Sequence, residues 1–231
     1  MLSFGDLELS ALRLSLSVAA RSVLINLLPA LAIAWLLTRR RFPGRTLLDA
    51  CVHLPLVLPP VVIGYLLLLF FGVNGPGGRV LSDLFGVRLV FTTAGAALAT
   101  AVMSFPLMVR AMRIALEGVD TGLEEAARTL GAGPFDRFVS ITLPLMLPGV
   151  LAGAVTTFAA GLGEFGAVIT FVSNIPDETR TLPLALYSAL QMPGGDAAAA
   201  RLALLSFSLG LGGLLLAEAL ARGLRRRLGT R

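Results

Sequence analysis

Five stretches of nearly uncharged, apolar sequence decide what this chain can fold into. They lie at residues 18–37, 51–72, 90–109, 145–172 and 202–217, and a helix that crosses a bilayer needs about 20 such residues. In hydrocarbon every backbone N–H and C=O must find a partner within the protein, so runs of this length fold as helices. The stretches are apolar all round, which marks them as buried or lipid-facing. The expected fold class is therefore all-α, a polytopic membrane protein with five transmembrane helices in one domain spanning residues 1–231.

Composition narrows the chemistry. Charged residues make up 14% of the 231, against about a quarter in soluble domains. A soluble enzyme, a disordered chain and a collagen-like fibre are thereby set aside. A single cysteine, Cys51, supports neither a disulfide framework nor a Cys-based zinc site. A single histidine, His53, supports no metal cluster or triad. Packing at the edge of the second stretch is the expected role of both, and neither a catalytic residue nor a metal site is read. No G-x-x-x-x-G-K-[ST] phosphate loop occurs, so the chain does not hydrolyse ATP by that route.

All 19 basic residues are arginines, clustered at the ends of the apolar stretches. This is the pattern of topology charges, so nucleic acid is not an expected partner. Thirteen arginines fall on one side and six on the other, and the richer side should be cytoplasmic. The N-terminus is then outside. The tail holding Arg222, Arg225, Arg226, Arg227 and Arg231 is inside. Asp6 and Glu8 stand where a signal peptide would carry basic residues, so the first stretch reads as an uncleaved anchor. Trp35 suits the interfacial aromatic belt.

The longest polar connection, residues 110–144, lies on the arginine-rich side. Asp120 or Thr121 can cap a helix over 122–130, with Glu124 at capping-box spacing. Leu123, Ala126, Ala127 and Leu130 give that helix one small, apolar face. Gly131 supplies its stop. A second amphipathic stretch with Phe135, Phe138 and Ile141 follows and closes at Leu143-Pro144. Such a hairpin either lies on lipid or plugs a partner's groove. Its acidic balance favours the plug, because surface-lying helices favour basic polar faces.

Glu125-Ala126-Ala127, then Gly131 after three intervening residues, Ile141 after nine more, and Leu143-Pro144 fit E-A-A-x3-G-x9-I-x-L-P at every position. This resembles the EAA loop of the type I permeases of ABC importers. The resemblance implies that Glu125, Ala126, Ala127, Gly131, Ile141, Leu143 and Pro144 belong to a coupling element docked on an ATPase subunit. The segment 54–64 (LPLVLPPVVIG) and Gly163-Glu164-Phe165-Gly166 resemble the molybdate and sulfate branch, and 169–176 (ITFVSNIP) is closer to bacterial molybdate permeases. The implied assembly is a homodimer of permease subunits in the plasma (inner) membrane of a prokaryote, with two ATPase subunits and an external molybdate-binding protein. ATP and magnesium would sit on the ATPase partner, and no cofactor on this chain. Sulfate, thiosulfate and tungstate remain alternative solutes.

A pathway for a dianion should hold no mid-membrane arginine, which would be costly and would trap the anion. The middles of stretches two to four hold helix breakers instead: Pro59, Pro60 and Gly64, then Ser104 with Pro106, then Pro148, Gly149, Gly161 and Gly163. These are the candidates for pathway and gate, with packing kinks the other reading. Glu164 is the one charge well inside a stretch. A negative group would repel a negative solute, so a structural role is expected: pairing with an arginine, or accepting from backbone opened by Gly161 and Gly163. A gate element is the second reading. Outer Arg79, Arg88 and Arg180 suit either contact with the binding protein or plain loop charge. An intramembrane enzyme would need a polar partner for Glu164 at matched depth, and none is evident.

Overall fold

The computed structural model describes residues 5–227, and at the C-terminal end side chains as far as residue 215. In chain order the helices are α1 (Asp6–Arg39), α2 (Arg45–Val57), α3 (Pro60–Phe71), α4 (Pro76–Phe85), α5 (Thr93–Glu117), α6 (Thr121–Thr129) and α7 (Pro134–Arg137). A π-turn (Phe138–Thr142) leads into α8 (Leu143–Leu162), then α9 (Gly166–Val172), α10 (Leu182–Leu190) and α11 (Asp196–Arg227). Among the described residues four helical segments are long and apolar enough to cross a membrane, or five if α2 and α3 count as one bent span.

Small residues let these helices approach. Without a hydrophobic force between helices in lipid, association relies on close packing and interhelical hydrogen bonds. Along α1, Ala11, Ser15, Ala19, Ser22, Asn26, Ala30 and Ala34 are buried, forming a ridge that packs on α5 and α8. Asn26 Nδ2 donates to Ala101 O at 2.8 Å and to Ser104 Oγ at 3.3 Å. A bond of this kind contributes about 1 kcal/mol in a membrane. On α8, Gly149, Gly153, Thr157 and Gly161 repeat every fourth residue along one edge. A Cβ on Gly149 would collide with Ala115 Cβ, and one on Gly153 would lie 3.0 Å from Ala111 Cβ. α5 and α8 therefore meet as G-x-x-x-G against A-x-x-x-A.

The expected boundaries change in several places. The second stretch, 51–72, is not one straight helix: α2 and α3 meet at 115°. Pro59 and Pro60 bring no N–H and push the residue before them out of the helical region, and Leu58 is extended. The fourth stretch, 145–172, stops at Leu162, and Gly163–Phe165 separate it from α9. By contrast Pro148 and Gly149 interrupt nothing, and α8 runs through both. The first stretch begins earlier, at Asp6. The third runs past Val109 to Glu117, so Arg110 and Arg113 stand on α5 and not in a connection. α11 begins at Asp196, ahead of 202. It continues past the expected end at 217 to Arg227, while the side chains of Arg222, Arg225, Arg226 and Arg227, and Arg231 as a whole, lie outside what is described. The connections at 73–89 and 173–200 hold the short helices α4 and α10.

Connectivity separates two ends. On one lie the C-terminus of α1, the start of α2, the end of α5, and α6. There Arg113 donates to Asp49 Oδ1 at 2.7 Å, tying α5 to α2. On the other, Arg201 Nε donates to buried Glu8 at 2.8 Å and Leu182 N–H donates to Ser15 Oγ at 2.7 Å. These bonds fasten the start of α1 to α11 and α10.

Candidate docking helix and bent-helix junction

α6 is a short helix closed at both ends by its own sequence. Asp120 Oδ1 accepts from Gly122 N–H at 2.8 Å, a side-chain N-cap. At the other end Ala132 N–H donates to Ala127 O at 3.0 Å and Gly131 N–H to Arg128 O at 3.1 Å. This is a Schellman cap, and Gly131 takes the left-handed conformation it needs, φ +90°. Glu124 does not complete a capping box. Its Oε1 instead accepts from Arg39 Nη2 at 3.0 Å and from Thr142 Oγ1 at 2.6 Å.

The face α6 presents is apolar and uncovered. No α6 residue is buried. Leu123 is 47% exposed, Leu130 88%, and Phe135 beyond the turn 79%. Glu125 and Ala126 are exposed, while Ala127 is half-buried. Ile141 and Leu143 are half-buried and Leu143 packs on the core of Leu37, Met112 and Met146. Leu143-Pro144 closes nothing: α7, the π-turn and α8 form one segment, Pro134–Leu162. Pro144 has no N–H for Ser140 O and its ring crowds that carbonyl, which the wider turn ahead of it relieves.

The pathway candidates divide into two groups. Pro59, Pro60, Gly64, Gly163 and Glu164 come together, because α3 packs along α9. A Cβ on Gly64 would lie 2.6 Å from Ala167 O, and one on Gly166 2.7 Å from Pro60 Cβ. The two breaks thus stand side by side. Glu164 Oε1 accepts from Ala167 N–H at 2.9 Å and closes the start of α9, so that amide is not free for an anion. Of the two structural roles expected for Glu164, it takes the backbone one.

Ser104, Pro106 and Gly161 are elsewhere, in the packed interfaces of α5. Ser104 O–H donates to Thr100 O at 2.7 Å, Pro106 is buried in an unbroken helix, and a Cβ on Gly161 would lie 2.9 Å from Thr100 Cγ2. The sequence reading passed over Asn26, although an amide inside an apolar run is a signal for an interhelical bond. It also passed over the Gly149-x-x-x-Gly153 spacing and the tie from Glu124 to Arg39 and Thr142.

A multi-pass helical body with no engine of its own and a capped apolar knob at one end is the architecture of a transport subunit driven from outside. The chain belongs to the family described as binding-protein-dependent transport system inner membrane component, whose model matches residues 26–226. It is 58% identical over 224 residues to the molybdenum transport system permease protein ModB of Escherichia coli (strain K12), covering 97% of this chain and 98% of the relative. The sulfate transport system permease protein CysT of Salmonella typhimurium is 41% identical over 182 residues, 79% of this chain and 65% of that one. Among solved structures, an inward-facing methionine ABC transporter shares the fold with a TM-score of 0.75 at 19% identity, covering 96% of this chain and 99% of that chain. The protein is a multi-pass membrane permease and not an enzyme, and it works with separate ATPase and binding-protein components.

Proposed function

We propose that this chain is the membrane-spanning permease of an ATP-driven molybdate importer. It pairs with a second copy of itself, two ATPase subunits that hold ATP and magnesium, and an external molybdate-binding protein. The observation that carries the solute is the 58% identity over 97% of the chain to a molybdenum permease, against 41% over 79% to a sulfate permease. α6, with Glu125, Ala126 and Ala127 on it and Gly131 at its end, is the docking element in this reading. The exposed Leu123, Leu130 and Phe135 supply the apolar surface such a helix-in-groove contact uses. Movement of the docked α6 rocks the spans between outward- and inward-facing states. The paired breaks at Pro59-Pro60 and Gly163-Glu164 are the gate region, and lipid surrounds the rest. The α6 end faces the cytoplasm of a prokaryotic cell, with the N-terminus outside.

The test is reconstitution of the complex in proteoliposomes with its ATPase and its external binding protein. Molybdate uptake that requires ATP and survives excess sulfate is the expected result. Uptake without nucleotide overturns ATP coupling. Complete competition by sulfate gives the chain to the sulfate permeases, the reading that the CysT similarity favours.

A further inference from the structure

No α6 residue is fully buried, so its side-chain contacts with the spans are few, and the polar ones stand out. Glu124 makes two. Arg39 is the last residue of α1, and Thr142, itself buried, is the last residue of the π-turn that opens into α8. One carboxylate oxygen holds both, at 3.0 Å and 2.6 Å. Charge-assisted bonds of this kind are among the strong ones, more so where water is partly excluded. Arg39 and Glu124 side chains are 19% and 22% exposed. At about 100° per residue, Glu124 stands a quarter-turn round from the exposed Leu123. It therefore faces the body while the apolar face turns away. Glu125, its neighbour, is exposed on the outer side.

We propose that Glu124 is the residue through which α6 moves the spans, one carboxylate pulling on α1 and α8 together. This rests on the coupling role assigned to α6 above. Glu124 is a positioning residue: it acts through Arg39 and Thr142 and touches no solute. A residue that only fastened the loop would change yield and stability, whereas a transmitting residue changes solute moved per ATP hydrolysed.

The experiment uses the complete complex in proteoliposomes, with molybdate and the external binding protein, and reads uptake per ATP hydrolysed. Glu124→Ala should still co-purify with the ATPase while uptake per ATP falls about tenfold. Arg39→Ala should lower the ratio similarly, and the double variant should fall no further than either single one, as expected for one unit. Thr142→Val should lower it about threefold. A ratio for Glu124→Ala within about twofold of native overturns the proposal. So does multiplication of the two single effects in the double variant, or loss of the ATPase from the complex, which would place Glu124 in the docking face. Should Glu124→Ala not accumulate, Glu124→Gln keeps an acceptor for Thr142 and removes only the charge. It should show the same drop, and a native ratio overturns the proposal. Native complex without ATP-driven uptake would remove the transport reading as well. Native uptake with unaffected variants removes this inference alone.

Discussion

Gly131 has nothing within 4 Å of where a Cβ would stand, so its constraint is conformational. At φ +90° a β-branched side chain is strained by about 1–2 kcal/mol, whereas asparagine tolerates the left-handed region. Gly131→Val should therefore unwind the end of α6 and lower ATP-driven uptake about tenfold with normal membrane yield, and Gly131→Asn should stay within about twofold. Transport assays on matched membranes decide it. Glu164 sorts differently. Its bond to Ala167 N–H needs an acceptor and not a charge, so Glu164→Gln should assemble and transport like the native chain. Glu164→Ala removes the cap and should cost about 1 kcal/mol, seen as a lower Tm in detergent. Lost uptake in a well-assembled Glu164→Gln would give the charge itself a part in gating.

Helix contacts here depend on missing side chains. Gly64→Leu would drive atoms into the Ala167 carbonyl and Thr170 and push α3 from α9, a cost of about 1–3 kcal/mol. Gly133→Leu, with open space around it, should change the Tm little, and thermal unfolding of the pair in detergent tests the contrast. The same elements show what hydropathy conveys. Five apolar stretches and the caps of α6 were readable, because length, polarity and turn chemistry are local properties. Whether 51–72 is one rod or two at 115° was not, since Pro59-Pro60 announces a break without its angle. Pro106, Pro148 and Pro144 look equally disruptive in sequence, yet neighbouring helices and a π-turn absorb all three. The tie from Glu124 to Arg39 crosses 85 residues, and no local pattern contains it.

At the scale of the molecule the two ends hold differently. The Glu8 to Arg201 and Ser15 to Leu182 bonds close one end around buried groups, while the other carries an uncovered helix. Amides of α6 should exchange with deuterium well before those of α5, which buries a continuous face. Equal protection would mean that α6 is packed in the isolated subunit. Sidedness is as accessible: in a Cys51→Ser background, Leu130→Cys should react with a membrane-impermeant maleimide in inverted vesicles and not in right-side-out ones. The opposite result reverses the topology. The 29-residue segment Pro134–Leu162, about 44 Å at helical rise, has the form of a lever arm. A nudge delivered at Thr142, where the widened turn ends, would reach the Gly163 joint along unbroken α8, and the turn behind it would share the load. Stiffening or loosening that single turn should therefore tune how far the proposed gate region swings for each stroke of the motor.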